Sequence, residues 1–231
     1  MFEGNYTYSS IFADNTLSKI GPWAFIIISG TIVTSVSFGA ATSIGDNSFR
    51  SLQLNYISIP NVTHIGSNAF LSCRYLTGTI SLPKVTTIGG YAFASCSSIT
   101  SIYAPELLSI NGWYTFMRCS RMTYIEMPKL VSLGAGTFDN CAALRYISIP
   151  ECSGFTNNNG NTFNYCSYMS YVYMPKMSAI ISSMFYNCYR MNSIMLDFDN
   201  IKTLPSSVFY GCSSLTMMEH KYDQLYLISY R

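Results

Sequence analysis

Apolar and polar residues alternate in short stretches that recur along the chain, among them Tyr124-Ile125-Glu126-Met127, Tyr146-Ile147-Ser148-Ile149 and Tyr171-Val172-Tyr173-Met174. A period of two predicts strands with one buried face, Ile147 and Ile149 pointing inward and Tyr146 and Ser148 outward. Proline closes these stretches at Pro60, Pro83, Pro105, Pro128, Pro150 and Pro175, since it has no N–H for the next ladder bond. A longer rhythm runs through the apolar positions. Phenylalanine recurs at Phe2, Phe25, Phe49, Phe70, Phe93, Phe116, Phe138, Phe163, Phe185 and Phe209, in steps of 21 to 25 residues. Cysteine follows three positions later at Cys73, Cys96, Cys119, Cys141, Cys166, Cys188 and Cys212. The unit reads F-x-x-C-x-x-L-x-x-I-x-I-P-x-V-x-x-I-G-x-x-A-F. Asn5, Ile28 and Ser51 replace the cysteine in the first three units, Asp197 replaces a proline, and the 138–163 unit carries an insert, Thr156-Asn157-Asn158-Asn159-Gly160-Asn161.

One such unit cannot bury its own apolar face, whereas stacked units make a continuous core. The period lies within the range of about 20–29 residues of leucine-rich repeats. The predicted fold is α/β and β-rich: a leucine-rich-repeat solenoid with a curved parallel concave sheet of about ten strands, ~4.8 Å apart. The A-F-x-x-C-x-x-L segment is expected to form a short helical turn on the opposite side. Glycine after isoleucine, at Ile44-Gly45, Ile65-Gly66 and Ile88-Gly89, suggests tight bends. Residues 1–231 read as a single domain, with repeats over about 2–220 and 221–231 as a terminal strand or partial cap.

Hydrophobic residues make up 49% of the 231, enough for a core, but charged residues only 10%, well below the roughly 25% of ordinary domains. The polar surface is therefore built of hydroxyls and amides. A net charge of +2 without basic runs gives no case for nucleic acid or an anionic membrane. No membrane span is expected, because the Phe25–Ile44 stretch holds seven Ser/Thr and two Gly. No basic-then-apolar leader opens the chain.

The IG-x-x-AF-x-x-C-x-x-L-x-x-I-x-IP pattern resembles the BspA-type leucine-rich repeats found in surface proteins of anaerobic bacteria and some protozoan parasites. The resemblance implies a fold and an extracellular or cell-surface location, with the leader absent from this chain. It does not imply one ligand.

Candidate chemistry is sparse. Neighbouring ladder cysteines are expected ~4.8 Å apart, wider than a relaxed bridge wants, so they read as reduced core thiols. Cys152 stands outside the ladder, and a nucleophile there would need a histidine, yet His64 is about four rungs away, roughly 19 Å. His220 is about three rungs away on the other side. Neither histidine has ligand spacing, and Asp197-Phe198-Asp199-Asn200 reads as a turn before it reads as a calcium site. No metal, cofactor or catalytic set is expected, and the chain reads as a non-enzyme. The residue after each strand proline, Asn61, Lys84, Glu106, Lys129, Glu151 and Lys176, alternates in sign over five rungs, a register and solubility device attractive along its whole length.

Solenoids bind on the strand face. Its outward positions form two columns. The first includes Ser10, Ser35, Tyr56, Thr79, Ser101, Tyr124, Tyr146, Tyr171, Ser193 and Met217, and the second Phe12, Ser37, Ser58, Ser81, Tyr103, Glu126, Ser148, Tyr173, Met195 and Glu219. Tyr103, Tyr124, Glu126, Tyr146, Ser148, Tyr171 and Tyr173 form the candidate ligand-binding set, since tyrosine offers a rigid apolar face with a polar tip. Two readings stay open. One is a binding or adhesion module for a protein or glycan, with a host as one source. The other is a structural spacer or assembly segment of a longer surface protein, in which cross-rung tyrosine pairs only stabilise the sheet. End-to-end self-association would follow if the open ends stack.

Overall fold

The computed structural model describes residues 11–13, 16–25, 33–157, 160–219 and 225–227. Phe2, Asn5, Ser10, Ile28, Asn158, Asn159 and His220 lie outside the described residues, as do the side chains of Phe12 and Glu219 and most of the 221–231 segment. The chain winds as a β-solenoid. Among the described residues one face carries ten parallel strands, Ile11–Ala13, Ser35–Phe38, Tyr56–Ser58, Gly78–Ser81, Ile99–Tyr103, Tyr124–Glu126, Tyr146–Ser148, Tyr171–Tyr173, Ser193–Met195 and Met217–Glu219. They divide into the first three and the last seven, with Leu225–Leu227 added antiparallel to Met217–Glu219. The break falls beside Gly78, whose φ is +75°.

Two expectations need correction. A single sheet of about ten strands understates the structure, which has eighteen strands in three sheets among the described residues. The Ile-Gly segments are strands of a second parallel sheet, running from Lys19–Ile20 through Ser43–Ile44, His64–Ile65, Thr87–Gly89, Ser109–Asn111 and Ser132–Leu133 to Gly154–Phe155. Glycine there allows close packing of rungs. A Cβ on Gly45 would lie 2.5 Å from Pro22 N, and one on Gly89 2.6 Å from Ser67 N.

The turn around each phenylalanine is also not helical, and no helix occurs among the described residues. The residues two before and two after the phenylalanine are left-handed: Asn68 (φ +56°) and Ser72 (+62°) flank Phe70, Tyr91 (+55°) and Ser95 (+60°) flank Phe93, and Tyr114 (+56°) and Arg118 (+59°) flank Phe116. Such residues cannot continue a right-handed helix, and those other than Asn68 cost ~1–2 kcal/mol each. The conformation turns alternate amides toward the next rung, where Asn68, Phe70 and Ser72 donate to Gly90, Ala92 and Ala94 carbonyls at 2.9, 2.7 and 2.8 Å. The turn is thus hydrogen-bonded between rungs, as a strand would be, and the described residues contain no α component of the expected α/β class.

The core follows the columns. Rings from Phe25 to Phe209 stack at 4.9–5.6 Å with interplanar angles of 4–13°. Phe49 to Phe185 in this ladder are wholly buried. All eight cysteines are free and buried. Each ladder thiol donates to the carbonyl of the phenylalanine one rung back, as from Cys96 to Phe70 (3.1 Å), Cys119 to Phe93 (3.3 Å) and Cys166 to Phe138 (3.2 Å). The same Phe70 carbonyl accepts the Cys73 amide at 3.1 Å, so the thiol serves the second lone pair of a buried acceptor. In the third unit the residue at the cysteine position is Leu52, buried, and not Ser51, which is exposed with φ +61°.

Candidate functional site

Register fixes the strand face. Tyr124 pairs with Ser101 on one side and Tyr146 on the other, and Tyr146 with Tyr171. In the second column Tyr103, Glu126, Ser148 and Tyr173 follow one another. All seven candidate residues therefore share the face. They do not share one site. Tyr124 and Tyr146 stack at 5.3 Å and 7°, and Tyr146 and Tyr171 at 5.6 Å and 23°. Tyr146 is covered on both ring faces and is only half-exposed.

The stack stops where Ser101 and Thr79 take over the column. Large side chains give way to small ones, and one ring face of Tyr124 looks across them. A cleft of about 340 Å³ results, lined by Thr79, Ser101, Ile102, Tyr103, Pro105, Tyr124, Glu126 and Pro128. Tyr103 and Tyr124 are 53% and 42% exposed. The cleft gathers Tyr103, Tyr124 and Glu126 and leaves Tyr146, Ser148, Tyr171 and Tyr173 farther along the face. Thr79 and Ser101 are the members the candidate set lacked. Their signal in the sequence is small size beside tyrosines in adjacent rungs.

The polar groups of the cleft are partly engaged with each other. Tyr124 donates its hydroxyl to Glu126 Oε2 at 2.6 Å. That bond to a carboxylate, ahead of burial, pushes the Tyr124 phenol up to about 12. The Thr79 and Ser101 hydroxyls bond to each other at 2.7 Å.

The residues weighed for chemistry are placed otherwise. Cys152 is buried, its thiol pushed up to about 12 by burial, and its Sγ faces the Gly154 carbonyl at 3.7 Å. His64 is exposed and bonds Thr87 Oγ1 at 2.7 Å. Asp197 is buried and accepts from Asn200 Nδ2 at 2.8 Å, a turn-closing contact. Among the described residues no group of three His, Cys, Asp or Glu could hold a metal ion, and no helix is long and apolar enough to cross a membrane. Two residues of the insert brace the end of the second sheet, Thr156 Oγ1 donating to the Ile110 carbonyl at 3.2 Å and Asn157 Oδ1 accepting the Ala135 amide at 3.0 Å. On the turn side, a second aromatic run joins Tyr165, Tyr186 and Tyr210, with the Arg190 guanidinium 4.3 Å from the Tyr168 ring nearby.

A family model described as a BspA type leucine rich repeat region of six copies matches residues 1–121, 42–170 and 86–216. No curated protein matches. Among solved structures, a leucine-rich repeat protein from Bacteroides ovatus is 26% identical, with 90% of this chain and 53% of that one covered and a TM-score of 0.73. A T. pallidum leucine-rich repeat protein is 22% identical, with coverages of 78% and 82% and a TM-score of 0.58, a likeness of fold. A leucine-rich cell surface protein from Faecalibacterium prausnitzii is 19% identical, with coverages of 92% and 60% and a TM-score of 0.48. The chain thus spans about half the length of the Bacteroides ovatus protein.

Proposed function

This chain belongs to the BspA-type leucine-rich repeat family, and from that premise we propose that it is an extracellular or cell-surface binding and adhesion module. It recognises a protein or glycan through the Tyr/Ser-rich strand face and performs no catalysis. The observation that supports this most is the continuous outward run of Tyr103, Tyr124, Glu126, Tyr146, Ser148, Tyr171 and Tyr173 in two registered columns. Rigid aromatic surface interleaved with hydroxyls costs little entropy to immobilise on binding.

A screen against matrix proteins, mucins and a glycan array tests the reading, with a Tyr146→Ser/Tyr171→Ser double variant alongside. Binding by the wild type that the variant loses, at unchanged circular dichroism, is the expected result. Binding by both would move the site off the tyrosine column.

The spacer reading has one specific observation in its favour. Tyr146 is sandwiched between two rings, and cross-strand stacking by itself explains tyrosine at that position. Absence of binding by either protein in the screen would favour it. Self-association through the ends would appear as a concentration-dependent mass in light scattering.

A further inference from the structure

We propose that the cleft at the end of the tyrosine stack is a subsite for a lysine or arginine side chain of a protein partner, with Glu126 as its anionic anchor. The inference rests on the reading of the strand face as a recognition surface and narrows the partner to a protein presenting an exposed basic residue.

Three observations converge. Two exposed tyrosines border the cleft, and the ring face of Tyr124 opposite Tyr146 is left uncovered by the small Ser101 and Thr79. The face of an aromatic ring carries negative potential and attracts a cation within ~6 Å. Glu126 supplies a full negative charge on the same wall, and no lysine or arginine lines the cleft. The nearest basic residue in sequence, Lys129, is tied to Glu106 at 2.7 Å. The described ion pairs engage Glu106 and Glu151 but not Glu126.

The carboxylate and the ring faces both carry negative potential, and that favours a cation over a neutral polyol. The Tyr124 hydroxyl donates to Glu126, and within the Thr79–Ser101 pair one hydroxyl donates to the other. What remains includes carboxylate lone pairs and two π faces, which serve an ammonium or guanidinium directly. The aliphatic stem of a lysine or arginine packs on Pro105 and the tyrosine edges while its head reaches the carboxylate. A cleft of about 340 Å³ accommodates one such side chain.

The test uses the whole chain, ¹⁵N-labelled, titrated with tri-lysine, Nε-acetylated tri-lysine and a neutral trisaccharide. Tri-lysine is expected to shift the amides of the Gly78–Ser81, Ile99–Tyr103 and Tyr124–Glu126 strands saturably, and more weakly at high salt. The acetylated peptide should not. Glu126→Gln should weaken tri-lysine by about threefold or more, and Tyr103→Ala similarly. Glu151→Gln, in a different column, should leave it unchanged. No saturable shift with tri-lysine, an unaffected Glu126→Gln variant, or preference of these amides for the trisaccharide would each overturn the proposal. If tri-lysine is inert but the Tyr146→Ser/Tyr171→Ser variant loses a screened ligand, this inference falls and the wider face reading stands. If tri-lysine seats in the cleft and that variant keeps its ligand, the cleft stands and the longer tyrosine column falls.

Discussion

The thiol of Cys141 donates to the carbonyl oxygen of Phe116, one rung back, at 3.2 Å, and that same oxygen accepts the amide of Cys119 at 3.2 Å. The cysteine is thus a hydrogen-bond donor to a buried acceptor as well as a small apolar filler. Cys141→Ala removes the donor and leaves a small void, and it should cost about 1–2 kcal/mol. A shift of the urea midpoint at unchanged m-value would show this. A cost within experimental error would mean that the carbonyl is satisfied by Cys119 alone.

The buried thiols make the fold sensitive to alkali. Burial pushes Cys73 and Cys152 from an ordinary 9.0 up to about 12, and raises Cys96, Cys119, Cys166 and Cys188 well above 9.0. Below pH 9 both states hold the proton and the stabilisation is complete. Between about 9 and 12 the unfolded chain releases protons that the folded chain retains, so unfolding free energy falls as pH rises, by ~1.4 kcal/mol per pH unit for each titrating thiol. Urea midpoints should be level from pH 7 to 8.5 and fall steeply above 9. A thiol reagent at pH 8 should react slowly with the native protein and with eight groups after unfolding.

Phe116 is wholly buried, with rings at 5.5 Å (Phe93) and 5.6 Å (Phe138) on either side. Phe116→Ala should cost ~3–5 kcal/mol, because both neighbours lose a stacking partner and rungs held by backbone ladders cannot collapse into the space. Chemical denaturation measures it, and a loss below ~1 kcal/mol would contradict the packing.

The alternating charges after the strand prolines act in pairs. Lys84 donates to Asn61 at 2.6 Å, Lys129 pairs with Glu106 at 2.7 Å and Lys176 with Glu151 at 2.6 Å. Each charged side chain in the two ion pairs is about half exposed, so each pair is worth at most ~1 kcal/mol. Double-mutant cycles should give coupling for 106/129 and 151/176 and close to none for 129/151. Inverting Glu106 and Glu151 to lysine should lower the melting temperature more at low salt than at high salt. Equal coupling across all three pairs would restore the continuous stripe that the sequence suggested.

Repeat, register and core are legible in the chain alone. The Phe, Cys and strand columns predict a stacked solenoid, and the alternation in Tyr146-Ile147-Ser148-Ile149 assigns each residue to its face, because a side-chain period of two leaves no other assignment once one face is buried. The family is legible for the same reason, since many positions answer to one packing constraint. Tertiary structure decided what depends on contacts between rungs. The left-handed backbone at Tyr91, Tyr114 and Arg118 has no local signature, as these residue types do not favour it. It is held by amides bonding to the next rung, and a helix reading of A-F-x-x-C was the natural local one. The second sheet is hidden because pairs such as Ser43–Ile44 and His64–Ile65 run straight into glycine, so the alternation that Met127 and Ile149 extend on the first sheet has no counterpart there. The cleft is hidden for another reason. Tyr103, Tyr124 and Glu126 stood out as types, but the site is made by the step in height from Tyr124 to Ser101 and Thr79, which exists only when three rungs lie side by side.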